Sequence, residues 1–253
     1  PQPSERRTMI IHTKPNASTT DVNRLAKATK SILFHNGEHN VLVTPSKMQS
    51  PPDGFSEIID QAWPMTSDLQ LGSKSYKDQT REIKLGDISI GGNTKNTIVI
   101  AGPCSVESES QIRESAVFMQ KMGITALRGG CYKPRTSPYS FQGMGLDGLK
   151  LLSKMREEFG FTIVSEVRDA THVHHVIEHA DVIQVGAKSM YDHGILRACA
   201  KTQKPVLIKR GFGTTLQEFA QAAEFVLSGG NPNVMLCESC LLYTSDVADD
   251  SLR

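Results

Sequence analysis

The sequence has no apolar run near the ~20 residues that a membrane span needs. Residues Pro1 to Thr8 carry charge but lack the apolar stretch of a signal peptide. Neither sign of charge predominates: 28 Lys and Arg against 27 Asp and Glu leave a net charge of +1. That balance excludes a global pull toward nucleic acid or an anionic membrane, so an anion site must be a local cluster. The five cysteines, Cys104, Cys131, Cys199, Cys237 and Cys240, are odd in number and lie mostly in or beside apolar segments, and only Cys237 and Cys240 stand at CxxC spacing. A disulfide framework is thereby disfavoured, and a reducing cytoplasm is the expected compartment. What is present is ordinary for a globular chain with a real core: 38% hydrophobic and 22% charged residues in 253. Met9 opens the first apolar run and reads as the natural start, with the residues before it an extension.

Two textures follow one another along the chain. From Met9 to about Tyr76 the elements are short and the linkers polar. Ile10-Ile11 and Val41 to Val43 read as strands. Thr20 can cap a helix with Val22, Leu25 and Ala26 on one face, and Phe55 to Ile59 has the spacing of a second short helix. A β-α-β order of this kind predicts a small α+β ferredoxin-like domain over residues 9–76. Ile83–Leu85 and Ile88–Ile90, parted by Gly86-Asp87, read as a hairpin.

From Thr97 onward short apolar runs alternate with amphipathic helices. The runs are Ile98–Ala101, Ala126–Arg128, Thr162–Glu166, Val182–Val185, Val206–Lys209 and Val234–Cys237. Each ends at a glycine or polar residue, as a buried parallel strand does. Ser108-x-x-Gln111 and Thr215-x-x-Glu218 are capping-box signatures. Val173, Val176, Ile177 and Ala180, like Phe219, Ala222, Ala223 and Val226, recur at helical spacing. The pattern predicts consecutive βα units, and leaves a barrel and an open doubly wound sheet both possible. A TIM barrel needs eight units of about 31 residues; only six are present, so over residues 77–238 a barrel would be an incomplete (β/α)8.

The strand ends carry Cys104, Arg128, Lys133 with Arg135, Glu166, Lys188, and Lys209 with Arg210. Four of the six ends bring a cation to one mouth, which suits a substrate bearing phosphate and carboxylate. Lys and Arg are common in loops, but the convergence of the set is hard to assign to chance.

These segments resemble a known family. Ala101-Gly-Pro-Cys-Ser105 and the run from Leu127 to Gly143, with Lys133-Pro-Arg-Thr-Ser137 at its centre, are similar to the signatures of the short 3-deoxy-D-arabino-heptulosonate 7-phosphate (DAHP) synthases. Val164-Ser-Glu166, Ile183-Gln-Val-Gly-Ala187 and Leu207-Ile-Lys-Arg-Gly-Phe212 agree in order and spacing. The 3-deoxy-octulosonate 8-phosphate synthases share barrel and substrate but typically carry an Ala-Asn-Arg-type run at the central segment. The resemblance implies condensation of phosphoenolpyruvate with erythrose 4-phosphate, the first step of the shikimate pathway. It implies Arg128 and Lys133 on the phosphoenolpyruvate carboxylate, Lys209 bridging carboxylate and phosphate, and Glu166 beside the phosphate. Lys133, Pro134, Arg135 and Thr136 would line the erythrose 4-phosphate path, with Ala187 and Lys188 at a phosphate. The family usually has Arg at position 188, so a bidentate fork becomes a point charge. Cys104 would be one ligand of a divalent metal ion (Mn, Fe, Co or Zn). The N-terminal domain resembles a regulatory domain of one subclass, which implies an aromatic amino-acid effector and a homo-oligomer.

Other motifs are weaker. Gly143-Met-Gly145-Leu-Asp-Gly148 fits GxGxxG, but a polar stretch with Pro138 precedes it where a dinucleotide fold needs a strand. His175-Val-Ile-Glu-His179 fits a zinc-protease pattern, yet the helical wheel sets His175 nearly opposite the apolar face, which predicts a solvated surface shared with His172 and His174. After Glu238 the family likeness ends, and residues 239–253 are expected to be a non-native tail resembling read-through of a sequencing adapter. A truncated synthase without its remaining metal ligands is expected to be inactive alone. A regulatory or scaffold protein built on the N-terminal domain is the reading from a different class.

Overall fold

The computed structural model describes residues 8–45, 48, 50–133, 135 and 137–238. Pro134, Thr136, Cys240 and the expected tail at 239–253 therefore lie outside the described residues. No described helix is long and apolar enough to cross a membrane.

The N-terminal region runs β1 (Thr8–Thr13), α1 (Thr19–Thr29), β2 (Ile32–His35), β3 (Asn40–Val43) and β4 (Ile59–Met65). The four strands form one antiparallel sheet in the order β2-β3-β1-β4. Every residue of the central strand β1 is buried, because both faces are covered. Met9, Ile11 and Leu42 pack with Leu25 of α1 on one face; Ile10, Val43 and Met65 face Leu71 and Leu227 on the other.

Two expectations fail here. Helix α1 starts one residue before Thr20 and is capped by Ser18, whose Oγ accepts from Asp21 N. The second helix at Phe55–Ile59 is absent. Ile58 N and Ile59 N both bond to Phe55 O, closing a single turn, and Ile59 already opens β4. The helical spacing of Phe55, Ile58 and Ile59 comes from one turn that seats all three against the α1 cluster.

Next comes a hairpin, β5 (Glu82–Leu85) and β6 (Ile88–Gly91), paired as the sequence predicts. Gly86 turns at φ +60°, and a Cβ on it would sit 2.4 Å from Thr162 Oγ1, so only glycine fits.

The remainder is a curled sheet of six parallel strands with helices: β7 (Ile100–Ala101), α2 (Glu109–Lys121), β8 (Ala126–Arg128), α3 (Gly145–Phe159), β9 (Thr162–Val167), α4 (Val173–His179), β10 (Val182–Val185), α5 (His193–Ala200), β11 (Val206–Lys209), α6 (Leu216–Ser228) and β12 (Val234–Cys237). Strand order follows sequence order from β7 to β12. The apolar faces of the helices cover one side: Ile112, Leu149, Leu152, Val176, Ile195, Phe219 and Val226 pack on Leu127, Ile163, Ile183, Val185, Val206 and Ile208. Each such fully buried side chain contributes roughly 1.5–3 kcal/mol. On the other face Val164, Val182, Leu207 and Met235 meet Ile83, Leu85 and Ile90 of the hairpin, which forms a floor.

Thr215 and Glu218 complete a reciprocal capping box on α6. At α2 only half forms: Ser108 Oγ accepts from Gln111 N, while Gln111 Oε1 accepts from Glu107 N instead. The N-terminal sheet is tied to α6 by Glu224, whose carboxylate accepts from Leu71 N at 3.1 Å and Gly72 N at 2.7 Å.

Candidate functional site

Side chains alternate between the two faces of a strand, so the residues after Val164, Val182 and Leu207 on the inner face are Glu166, Gln184 and Lys209. The register pairs Glu166 with Gln184 directly. Arg128 lies at the corresponding end of β8, opposite Val164. The inner face therefore changes from apolar to charged within two residues on neighbouring strands. With strands about 4.8 Å apart, the polar ends of β8 to β11 span ~14 Å along the sheet, room for a small doubly anionic substrate.

One flank is a cationic group around the β7 end. Lys133 Nζ donates to Cys104 O at 2.8 Å and to Cys104 Sγ at 3.2 Å. Arg128 Nη1 donates to Pro103 O at 3.0 Å. The Lys133 hydrogen bond and charge, with a further contribution from Arg128, hold the exposed Cys104 thiol below its ordinary value. By contrast, burial pushes the Cys131 thiol up to about 12. Glycines make the close packing possible: a Cβ on Gly102 (φ +136°) would lie 2.1 Å from Arg128 O, and one on Gly130 would lie 2.7 Å from Cys104 O.

The other flank is built on β9 to β11. Glu166 accepts a short hydrogen bond from Gln184 Nε2. A Cβ on Gly186 would stand 2.4 Å from Glu166 Oε1, so this glycine gives the carboxylate its place. Ala187 is half-buried, and Lys188 is exposed in the 3-10 turn Ala187–Ser189. Lys209 is half-buried, and its side chain makes no hydrogen bond or ion pair with another described residue. Arg210 differs from the sequence expectation: it is not a free cation of the mouth. Its Nε and Nη2 donate to Thr214 O at 2.9 and 2.6 Å, and Nη1 to Glu238 Oε2 at 2.6 Å. Arg135 is exposed on the loop after Lys133.

The structure thus gathers Cys104, Arg128 and Lys133 on one flank and Glu166, Ala187 and Lys188 on the other, with Lys209 on the adjacent strand. Sequence reading missed Gln184 and Gly186; the glutamine inside an apolar strand, two residues before a glycine, was the available signal.

Similarity to known proteins decides what this mouth belongs to. Residues 66–248 match the family model described as the DAHP synthetase I family, and the match runs past Glu238. The chain belongs to the DAHP synthetase I family. It is 34% identical over 238 residues to the phospho-2-dehydro-3-deoxyheptonate aldolase of Thermotoga maritima, covering 91% of this chain and 70% of that protein. The crystal structure of the Thermotoga DAHP synthase superposes with a TM-score of 0.66 at 33% identity, over 91% of this chain and 69% of that one. A 2-dehydro-3-deoxyphosphooctonate aldolase of Pisum sativum is 37% identical over a shorter 152 residues, 57% of this chain and 52% of that protein.

DAHP synthases are metalloenzymes, but the described residues do not fit a metal centre. Among them no three His, Cys, Asp or Glu side chains group closely enough to hold an ion. Cys104 is a single donor, and it is engaged by Lys133. One thiolate does not hold a catalytic divalent ion.

Proposed function

We propose that the mouth binds phosphoenolpyruvate and joins it to erythrose 4-phosphate, giving DAHP and phosphate. The observation that carries this reading is the row of free or lightly engaged cations, Arg128, Lys133, Lys188 and Lys209, around one carboxylate, Glu166. Arg128 and Lys133 take the carboxylate of phosphoenolpyruvate, and Lys209 bridges carboxylate and phosphate. Glu166, held by Gln184, orients the phosphate's cationic partners or a water. Lys133 through Thr136 line the path of the aldehyde, with Arg135 and Thr136 on its phosphate and Lys188 on a second anionic group.

In the reaction, the methylene carbon of phosphoenolpyruvate bonds to the aldehyde carbon, water adds at the phosphate-bearing carbon, and phosphate leaves. The residues act by holding two anions in attack geometry and stabilising charge as it shifts. A divalent ion of the kind the family uses would supply Lewis-acid polarisation of the aldehyde if bound, and Cys104 would be one of the residues that hold it. Residues 9–76 are proposed as a ferredoxin-like regulatory domain for an aromatic amino acid in a homo-oligomer, on the support of the strand order β2-β3-β1-β4.

Calorimetric titration with phosphoenolpyruvate tests the site without requiring turnover. We expect binding by the wild-type chain and a loss of about thirtyfold, ~2 kcal/mol, in Arg128→Met. Equal affinity in both would refute the assignment. The octulosonate alternative is separated by the aldehyde: a seven-carbon product requires a four-carbon aldose phosphate beside phosphoenolpyruvate, an eight-carbon product a five-carbon one. Preference for the five-carbon sugar would favour the alternative.

A further inference from the structure

The histidines on and beside α4 are only partly a solvated surface: His174 is exposed, whereas His172, His175 and His179 are half-buried. His172 stacks on the ring of Tyr132, with centroids 4.2 Å apart and planes 13° apart. His175 Nδ1 lies 3.1 Å from Tyr132 Oη. Burial, together with His174 and His172, holds His175 below its ordinary value, which favours the neutral ring beside the phenol. His179 Nδ1 pairs with Ser153 Oγ at 2.9 Å. Thus three of the four histidines have partners on neighbouring elements, and two of them converge on one tyrosine.

That tyrosine precedes Lys133, at the neck of a loop. Lys133 N donates to Gln142 O and Gly145 N to Cys131 O, each at 2.9 Å, so the chain re-enters beside where it left. Gly143 passes at φ +97°, where a Cβ would stand 1.9 Å from Cys131 O. The large side chains at the described tip face solvent: Tyr139 is 96% exposed and Phe141 45%. A loop with exposed side chains at its tip takes its position from its neck, and among the described residues of the neck the large buried side chain is Tyr132, 9% exposed.

We propose that Tyr132 is the positioning residue for Lys133, clamping the loop neck onto α4 through His172 and His175. The inference rests on the reading of Lys133 as a phosphoenolpyruvate ligand. The ring and phenol fix the main chain at position 132, and the next side chain leaves with its ammonium directed to Cys104 and the mouth. The HxxEH spacing is thereby explained without a metal.

The test uses Tyr132→Phe, Tyr132→Leu, His175→Ala and the Tyr132→Phe/His175→Ala pair in the full chain. Two quantities are measured: amide exchange at Lys133 and Gly145, and phosphoenolpyruvate affinity by calorimetry. Tyr132→Phe keeps the stack and loses one hydrogen bond, so about fivefold faster exchange and about fivefold weaker binding are expected. Tyr132→Leu loses both contacts, and at least tenfold is expected in each quantity, with exchange at Ile163 in β9 unchanged. His175→Ala should add nothing to Tyr132→Phe, since both remove the same bond. Unchanged affinity in Tyr132→Phe and His175→Ala, or full additivity of the pair, overturns the clamp. Should the wild-type chain bind no phosphoenolpyruvate, the reading of the site fails, and the clamp is judged by exchange alone, where unchanged rates overturn it.

Discussion

The two ends of the parallel sheet's interior are made by the same strands and have opposite duties. At the floor, Val164, Val182, Leu207 and Met235 close on the hairpin residues Ile83, Leu85 and Ile90. Two residues further on, Glu166, Gln184 and Lys209 hold polar groups at the mouth. The floor gains from area removed from water and is indifferent to direction. The mouth needs each charge in a defined place and leaves some unpaired, which does not stabilise the fold. Separating the two by one pleat lets a strand support both without compromise.

That separation predicts effects that do not mix. Leu85→Ala opens a cavity in the floor and should cost about 2–5 kcal/mol in urea unfolding, with phosphoenolpyruvate affinity of the folded chain kept within about twofold. Lys209→Met should do the reverse: about thirtyfold weaker phosphoenolpyruvate binding and an unfolding midpoint little changed, because no described partner loses a bond. A floor variant that abolishes binding at unchanged stability would show the two ends to be coupled.

The N-terminal sheet supplies a third kind of interior for contrast. His12 is buried there, its Nε2 bonded to Tyr76 Oη at 2.7 Å and its ring stacked on His39. Burial, then His39 and Lys77, lower it from 6.5 to about 4. The unfolded chain therefore takes up this proton near pH 6.5 and the folded chain only near 4. Stability from the neutral ring is full above pH 6.5 and is lost as pH falls toward 4. With solvent screening, a loss of about 1–2 kcal/mol is expected. Melting temperature against pH should slope across that window in the wild type and flatten in His12→Gln. The smallest effect expected is at Gly186→Ala, where a methyl group would displace Glu166 from Gln184. We expect about fivefold weaker phosphoenolpyruvate binding, ~1 kcal/mol, with a melting temperature near that of the wild type.

Strands β8, β10, β11 and β12 were legible to the residue, because short apolar runs between glycine and polar residues admit little else. The strand ends that carry the candidate mouth were legible as well, since its side chains follow directly on those apolar runs. What failed depended on contacts that residue spacing does not encode. Phe55 to Ile59 has helical spacing, yet one turn and then β4 seat those side chains on α1. The helical wheel put His175 on the water side, but Tyr132, more than forty residues earlier, covers it. Arg210 looked like a free cation until Thr214 and Glu238 were seen to occupy it.

Lys209 and Arg210 are adjacent in sequence and opposite in use, one unengaged on the inner face and the other tied to the chain beyond it. A strand's faces exchange when its register moves by one residue. A one-residue deletion within Val206–Lys209 would carry Arg210 into the place of Lys209, turn Lys209 toward the helices and part Arg210 from Glu238. Evolution can thus exchange residues at this position far more readily than it can change the length of the strand that carries them.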